Sequence, residues 1–360
     1  MVSRFRSALR LVAAAASPVA FSLVASNVAA AVPVGDTVLF GAYANGLPYY
    51  DDAFLALEKK VGAKLDIASG FVDWDYVLGE ERDVKLAADG ARVLLYSWEP
   101  HCTKHGCISF RDVARGRADR YLESVAASMK RFPYVIYVRP WAEMNAYWSP
   151  YQPGSRRPRA GSIEEFRAAW RHLYDFFRQR DIRNLKFVFN PDIGKDPQNT
   201  PIADLWPGHD PKDGHGYVDV LGMDGYNWGD SQKEGGEEWV EFEELFEEGY
   251  HVLTALDEKA PVWVCEFGSK EPKKDDGTKG SPAPPDATHD KGEWIRNMLR
   301  STAFPRLEAL AYFSAYRPNS DTARDFRFDS SQSSLNAVRE YLRAHRQKPR
   351  RPRREKAGSR

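Results

Sequence analysis

Two glutamates, far apart in the chain, each end an apolar run that favours a β-strand. Glu143 closes the first run, in residues 138–145, and Glu266 closes the second, in residues 261–268. A carboxylate at the end of a buried strand is costly unless it is paired or used, so both are candidates for chemistry. Two such carboxyl groups can cleave a glycosidic bond, one as acid and one as nucleophile or base. The pair therefore favours a two-carboxylate glycosidase.

The segments around these glutamates repeat as strand-then-helix units. Most strand segments are short apolar runs without strict alternation, as expected for strands buried on both faces. Strands are predicted near 37–43, 64–72, 91–98, 134–142, 185–190, 218–224, 261–267 and 309–315. Helices are predicted over 51–61, 76–88, 110–131, 163–180, 202–206, 238–256, 291–301 and 333–345. Eight units in one domain-sized chain predict an α/β fold, a single-domain (β/α)8 TIM barrel spanning residues 32–342.

The barrel prediction brings the two glutamates together. Active sites of such barrels lie at the carboxyl ends of the strands, and Glu143 and Glu266 end the fourth and seventh strands. Side chains alternate along a strand, which predicts that Arg139 and Trp141 share the face of Glu143. In the seventh strand, the same alternation predicts that Cys265 points outward to the helices. Trp263 is then expected to face away from the pocket, as core.

Polar and aromatic residues at other strand ends would complete a sugar site. Asp224, Tyr226 and Trp228 are in phase at the end of the sixth strand, so Tyr226 is expected to donate to Glu266. Tryptophans such as Trp228 offer flat faces on which a sugar can stack. The predicted substrate-binding residues are Arg139, Trp98, Asn145, Trp148, Asn190, Asp224, Tyr226 and Trp228. Arg139 is also expected to be a buried partner of a carboxylate.

Three short motifs resemble glycoside hydrolase family 26. They are Arg-Pro-x-x-Glu-Met-Asn on the fourth strand, Gly-x-Asp-x-Tyr on the sixth and Glu-Phe-Gly on the seventh. That family contains β-mannanases and related β-glucanases and xylanases, in a clan of retaining (β/α)8 glycosidases. The resemblance implies that Glu143 is the acid/base, that Glu266 is the nucleophile and that Tyr226 is the nucleophile's hydrogen-bond partner. We expect endo action on a β-linked polysaccharide, without cofactor or metal.

One position departs from the family pattern. The family usually carries histidine directly before the acid/base glutamate, where this chain has Ala142. That histidine commonly contacts the sugar beside the cleaved bond, and loss of a specific polar contact changes substrate preference strongly. We therefore expect weak activity on plain mannan relative to another β-glycan, such as a β-glucan or a bacterial exopolysaccharide. The loop 268–290, Trp148 and Tyr151 would shape the cleft for that polymer.

The chain ends differ in composition from the middle. Residues 1–31 combine early arginines, an Ala-rich apolar run and small residues, which is the pattern of a secretory signal peptide. A membrane anchor is the alternative, although Pro18 interrupts a run that is short for a spanning helix. We expect a secreted or periplasmic protein. Residues 343–360 are dense in Arg and Lys and predict a disordered tail, either solubilising or binding anionic polymers or lipid headgroups.

Cysteines and histidines offer two further candidate sites. In an exported protein, Cys102 and Cys107 are expected to form a disulfide, with zinc bound beside His101 and His105 as the alternative. Cys265 is then a buried free thiol. A second group of possible metal ligands precedes the sixth strand, where a polar turn is favoured because the spacing of a calcium loop is missing. Its members are His209, Asp210, Asp213 and His215.

Two other classes of function compete with the hydrolase. One is an inactive sugar-binding barrel that serves polysaccharide binding or export. The other is a metal-dependent deacetylase or phosphatase, which needs clustered His and Asp ligands at strand ends that the pattern does not offer. A polysaccharide is the expected partner. The chain has no basic-aromatic module for nucleic acid and no second run long enough to span a membrane, and we expect a monomer.

Overall fold

The structure, a computed structural model, describes seven stretches of the 360-residue chain. They are residues 38–90, 92–100, 108–155, 161–229, 239–271, 289–317 and 324–346. The predicted signal peptide 1–31 lies outside them, as do residues 347–360 of the predicted tail. Cys102 and Cys107, together with His101 and His105, also lie outside the described residues, so the predicted disulfide stays a prediction.

Eight parallel strands close into a barrel, which confirms the predicted fold class. Each strand pairs with the next along the chain, and the eighth pairs with the first. The strands are β1 (Leu39–Ala44), β2 (Ile67–Asp73), β3 (Val93–Glu99), β4 (Ile136–Pro140), β5 (Leu185–Phe189), β6 (Val220–Asn227), β7 (Val262–Ser269) and β8 (Leu307–Ser314). A small antiparallel pair, β9 (Tyr316–Arg317) and β10 (Arg324–Asp325), follows β8 and was not predicted.

Helices alternate with these strands. They are α1 (Asp52–Val61), α2 (Glu81–Ala88), α3 (Phe110–Ala114), α4 (Asp119–Met129), α5 (Ile163–Arg178), α6 (Ile202–Leu205), α7 (Phe242–Leu256), α8 (Lys291–Arg300) and α9 (Gln332–Arg346). The single helix predicted over 110–131 is two helices, because Gly116 between them has φ 77°. Helix α9 continues to Arg346, beyond the predicted domain end at 342. No helix among the described residues is both long and apolar enough to span a membrane.

Apolar side chains fill two separate layers, one inside the barrel and one between the barrel and its helices. Alternate strand residues form the small inner layer: Ile67, Leu95, Val188, Val220, Trp263, Cys265, Ala309 and Ala311. Their sequence neighbours, such as Ala68, Leu94 and Val264, pack outward against the helices. This two-sided burial explains why the strand segments read as continuous apolar runs.

A buried ion pair closes the end of the barrel where the strands begin. Arg92, just before β3, donates to both carboxylate oxygens of Glu58 on α1, at 3.1 and 2.6 Å. The backbone N–H of Leu65 also donates to Glu58, at 2.8 Å. Both charged side chains are buried. Active sites lie at the opposite end of such barrels, so this pair serves the stability of the fold.

We predict that Glu58→Ala lowers the free energy of unfolding by about 3–5 kcal/mol, because it leaves Arg92 buried with a weakened set of partners. The matched control is Glu81→Ala on α2, whose carboxylate pairs with Lys85 at 2.7 Å on the open surface. Urea denaturation followed by circular dichroism measures both variants. Equal midpoints for the two variants would contradict the assignment.

Candidate active site

A tight turn, and not the strand itself, presents Glu143. Strand β4 ends at Pro140, and both Trp141 and Glu143 then adopt the left-handed region, with φ 52° and 54°. The Glu143 N–H donates to the carbonyl of Asn190 at the end of β5, at 2.9 Å, which fixes the turn. Non-glycine residues in this region carry strain that the surrounding structure must hold in place. The turn therefore sets where the Glu143 carboxyl group lies.

Because of the same turn, Trp141 does not follow the alternation of side-chain direction that a continued strand would have. Its indole is buried and meets the Phe110 ring at 5.1 Å, on the side of the barrel that faces the helices. The prediction that Trp141 shares the pocket face with Glu143 is therefore wrong. Left-handed backbone reverses the direction of a side chain relative to a continued strand, and the sequence pattern did not reveal it.

A β-bulge presents Glu266. Val264 of β7 pairs with Met223 of β6, and Glu266 pairs with the next residue, Asp224, so Cys265 is an extra residue in the ladder. Cys265 lies in the inner layer with Trp263, and Glu266 also faces inward. The prediction that Cys265 points to the helices is wrong. Trp263 is core as predicted, but inside the barrel. Bulges often re-aim a side chain next to a functional site.

A buried arginine joins the strands beneath the two glutamates. The Arg139 guanidinium donates to both carboxylate oxygens of Asp224, at 3.2 and 3.0 Å, and to Glu266 Oε2 at 3.3 Å. It also donates to the hydroxyl of Ser97 on β3, at 2.5 Å. Arg139 and Asp224 are fully buried. One cation thus links β3, β4, β6 and β7 below the mouth of the barrel.

Glu266 receives a second donor on its other oxygen. The Tyr226 hydroxyl, two residues past Asp224 on β6, donates a short hydrogen bond to Glu266 Oε1. Arg139 and Tyr226 together hold both carboxylate oxygens and fix the orientation of the group. A nearby cation and donated hydrogen bonds both favour the ionised form of a carboxyl group. This environment suits a nucleophile.

Glu143 has the opposite surroundings. Burial first, and then the negative charges of Glu266 and Asp192, raise the pKa of Glu143 to about 8. The indole N–H of Trp148 donates to its Oε2 at 3.2 Å and opposes part of that shift. No lysine or arginine of the described chain forms an ion pair with it. Arg139, whose charge opposes the shift, is committed to Asp224 and Glu266. A carboxyl group in this setting stays protonated near neutral pH and can act as an acid.

A clamp between two loops supports the acid. The Asn145 side chain donates to the Asp192 carbonyl and accepts from the Asp192 N–H, both at 2.8 Å. Burial raises the pKa of Asp192 to about 6, against the hydrogen bond from the Gly194 N–H. Because Asn145 is buried and satisfied by backbone groups, the prediction that it binds substrate is wrong. It fixes the loop after β4 to the loop after β5.

Four other predicted substrate contacts are also buried. Trp98 faces the helices and donates to the Tyr121 hydroxyl at 3.0 Å, because Ser97 takes the inward position on β3. Its predicted stacking on a sugar is wrong. Asn190 has no exposed surface and no hydrogen bond of standard geometry for its amide. Asp224 and Arg139 are committed to each other. Trp98 lies outside the barrel, while Arg139, Asn190 and Asp224 form the floor of the site.

The remaining predicted residues lie where a ligand can reach. Trp148 is exposed beside Glu143, while Tyr226 and Trp228 are partly exposed beside Glu266. Sequence reasoning missed an aromatic wall next to them. Phe326, after β10, meets the Tyr226 and Trp228 rings at 4.7 and 5.1 Å. It returns to the site through the small β9–β10 pair, which no sequence period had indicated.

The candidate metal ligands before β6 lie away from this site. Ligand atoms of Asp210, Asp213 and His215 come within 4.8 Å of one another. They occupy a turn closed by pairing of His209 with Gly216, at the amino end of β6. Asp213 accepts from the His215 ring at 2.6 Å, and Asp210 accepts from the Tyr217 hydroxyl at 2.9 Å. These contacts fit the polar turn that was favoured.

The fold and the site define a class of protein. It is a (β/α)8 barrel with two carboxyl groups at the carboxyl ends of its strands, one bound by an arginine and a tyrosine and the other with a raised pKa. The model of glycosyl hydrolase family 26 matches residues 110–256, a range that contains Glu143 and Tyr226 and ends before Glu266. The chain is 30% identical to Endoglucanase H of Acetivibrio thermocellus over 295 residues. That match covers 81% of this chain and 29% of the relative, so the chain spans less than a third of it. Over residues 110–256 the chain is thus similar to glycosyl hydrolase family 26.

Solved structures agree with the fold. A modular endo-β-1,4-mannanase of Cellulomonas fimi superposes with a TM-score of 0.55 at 16% identity, covering 85% of this chain and 70% of that one. A family 26 β-mannanase of Bacteroides ovatus superposes with a TM-score of 0.53 at 17% identity, covering 86% and 89%. At these identities, the likeness concerns the barrel and not the substrate.

We predict that Arg139→Met lowers the free energy of unfolding by about 3–5 kcal/mol, because two carboxylates then lack their cation in a buried place. Adding Asp224→Leu should recover part of that loss, since it removes the more deeply buried unpaired charge. A double-mutant cycle by urea denaturation measures the coupling. Strictly additive effects of the two substitutions would contradict the shared ion pair.

Proposed function

We propose that the protein is an exported, retaining endo-β-glycan hydrolase in which Glu143 is the acid/base and Glu266 is the nucleophile. The observation that carries the proposal is the contrast between the two groups. Glu266 has an arginine and a tyrosine hydroxyl on its oxygens, whereas Glu143 has a raised pKa and carboxylates as neighbours. Pairs of carboxyl groups whose surroundings separate their pKa values divide the acid and nucleophile roles between them. Export rests on the composition of residues 1–31.

In the first step, Glu143 donates its proton to the glycosidic oxygen as the bond from that oxygen to the anomeric carbon breaks. The Glu266 carboxylate attacks the same carbon from the opposite face and forms a glycosyl ester. Arg139 and Tyr226 fix the orientation of this carboxylate for the attack. The loss of charge on Glu266 lowers the pKa of Glu143 as it loses its proton, because the negative neighbour is gone.

In the second step, Glu143 is ionised and accepts a proton from water. The water oxygen attacks the anomeric carbon, the ester bond to Glu266 breaks, and the released sugar keeps its original configuration. Glu143 is protonated again and Glu266 is again a carboxylate. Trp148, whose indole N–H donates to Glu143, stabilises the ionised form that this step needs.

A β-glucan is the polymer that we propose as substrate. The relative with 30% identity is called an endoglucanase. Ala142 stands where mannan-cleaving members of the family usually carry histidine, which supports the same choice. A panel of mixed-linkage β-glucan, mannan, xylan and bacterial exopolysaccharide, scored by reducing ends released, tests it. A best rate on unsubstituted mannan would overturn the choice of substrate without touching the catalytic assignment.

An inactive sugar-binding barrel is the rival function. Such a barrel would have no need for a carboxyl group with a raised pKa beside a second one that is held by an arginine and a tyrosine hydroxyl. Both groups keep their partners here, and the arginine beneath them is fully buried. The rival predicts polysaccharide binding without release of reducing ends on any member of the panel.

We predict that Glu266→Ala loses hydrolysis of an activated aryl β-glycoside by a factor of about 10⁴ or more, since no covalent intermediate can form. Added azide should restore turnover, because it can enter the space that the side chain vacated, and should give the α-glycosyl azide. Glu143→Ala with azide should instead give the β-glycosyl azide, because its covalent intermediate still forms. Proton NMR distinguishes the two products. The same anomer from both variants would refute the division of roles.

We predict that the basic limb of the kcat/KM profile reports Glu143, whose pKa is about 8. Cleavage needs the protonated acid, so kcat/KM holds below that pH and falls above it. Trp148→Phe removes the donor that favours the ionised form, so the limb should move to higher pH. Tyr147→Phe, on the ring that packs against Trp148 at 5.0 Å, is the control and should leave the limb in place. A limb that moves to lower pH in Trp148→Phe would contradict the acid assignment.

A further inference from the structure

Hydrogen bonds join the loop after β4 to the loop after β5 at several points beside Glu143. The Thr200 N–H donates to the Asn145 carbonyl at 2.9 Å, and the Thr200 hydroxyl donates to the Pro153 carbonyl at 3.1 Å. The Gln152 side chain donates to the Gln198 carbonyl at 2.6 Å. The loop after β4 therefore takes its shape from the loop after β5 as well as from its own backbone.

One of these contacts, made by the Asn199 side chain, lies next to Trp148. Its Oδ1 accepts from the Tyr147 N–H at 2.9 Å. Its Nδ2 donates to Asp192 Oδ2 at 3.3 Å and to the Gly194 carbonyl at 3.0 Å. Both ends of the amide are thus used, and a flipped amide would place one N–H against another. Asn199 therefore connects the Asp192 carboxylate to the backbone one residue before Trp148.

Asp192 is a fixed base for this connection. It is buried, and its backbone pairs with Asp224 of β6 in an isolated bridge. The Gly194 N–H donates to Asp192 Oδ2 at 3.0 Å. A Cβ at position 194 would lie 2.8 Å from the same oxygen, so a side chain there would displace the carboxylate. The connection thus begins on the floor of the site, beside the ion pair of Arg139 and Asp224.

Trp148 needs support from its backbone because its side chain is 45% exposed. An exposed side chain loses rotamer freedom when it is held in one hydrogen bond. The indole N–H nevertheless donates to Glu143 Oε2 at 3.2 Å, and the Tyr147 ring packs edge-on against the indole at 5.0 Å. Side chains at functional sites keep such a geometry when neighbouring hydrogen bonds hold their supports in place. Asn199 supplies a hydrogen bond of this kind.

The Trp148 donor acts against several negative charges around Glu143. The described titratable groups that face Glu143 are Glu266 of β7, Asp192 of the loop after β5, Asp224 and Tyr226 of β6, and Arg139 of β4. Burial and the carboxylates favour the protonated form of Glu143, whereas the indole N–H and Arg139 favour the ionised form. The position of the indole therefore affects how readily Glu143 gives up its proton.

We propose that Asn199 is a positioning residue of the acid, because it holds the backbone next to Trp148 and thereby keeps the indole N–H on Glu143. The proposal rests on the proposed function for the role of Glu143 as the acid. Asn199 acts through Trp148, since its own amide bonds to Tyr147 and Asp192. Removing the Asn199 side chain is therefore expected to change Glu143 in the same direction as removing the indole N–H.

The pH dependence of hydrolysis by the full chain tests the proposal. Asn199→Ala should move the basic limb of the kcat/KM profile on an aryl β-glycoside to higher pH, by about half a unit to one unit, as expected for Trp148→Phe. In the Trp148→Phe background, Asn199→Ala should cause no further movement, because the donor that it positions is already gone. Gln198→Ala is the matched control and should leave the limb in place, since it truncates an exposed side chain and keeps the carbonyl that Gln152 needs. A limb that stays in place or moves to lower pH in Asn199→Ala, or equal movements in the two backgrounds, would overturn the proposal.

Proton NMR of the indole N–H groups separates this proposal from the proposed function. The Trp148 resonance is the one that disappears in Trp148→Phe. In the wild type it should shift with pH as Glu143 ionises, and in Asn199→Ala that shift should fall by about half or more, while Gln198→Ala keeps it. A full shift in Asn199→Ala, or no shift in the wild type, overturns the proposal. Failure of the hydrolase assignment alone would appear as the expected shifts without release of reducing ends from any polymer.

Discussion

The shared guanidinium of Arg139 is the interaction on which the site depends. It lies where no water reaches, between Asp224 and Glu266, and it ties four strands together through their side chains. A buried cation of this kind is stable only with close, well-oriented partners, so it also dictates where those carboxylates lie. Because Arg139 is committed to these two groups, Glu143 forms no ion pair with a lysine or arginine of the described residues. The proposed division between acid and nucleophile rests on that one allocation of charge.

Two departures from regular strand geometry complete the arrangement. The left-handed turn after β4 lifts Glu143 above the strand end, and the bulge in β7 brings Glu266 inward beside Cys265. A regular strand would have turned one of these side chains toward the helices. Irregular backbone at functional positions is held by the surrounding packing, here by the clamp of Asn145 on the loop after β5. The regular strands form a rigid frame, and the turn after β4 and the bulge in β7 determine where the two glutamate side chains lie.

The catalytic face and the opposite face of the barrel show different uses of buried charge. Arg92 and Glu58 form a buried ion pair at the amino end of the strands. Arg92 donates to both Glu58 oxygens and to the Leu86 carbonyl. Arg139 at the carboxyl end leaves the Glu266 carboxyl group partly exposed at the mouth of the barrel. Among the described parts of the chain, the aromatic side chains that are more than a third exposed follow the strand ends of this second face.

The sequence by itself determined the class of fold and the two glutamates. Eight apolar runs separated by helical periods are local patterns, and a barrel then places every strand end on one face. Only the tertiary structure decided which residues near the two glutamates have side chains that face the pocket. Trp98, Asn145 and Asn190 were expected to touch sugar and are buried, while Phe326 reaches the site from a distant pair of short strands. Alternation along a strand is lost at a single left-handed residue or bulge, and contacts between residues far apart in the chain leave no local period. The ion pairs of Arg139 are contacts between residues far apart in the chain, because they form only when four strands meet in space. The sequence therefore could not show them.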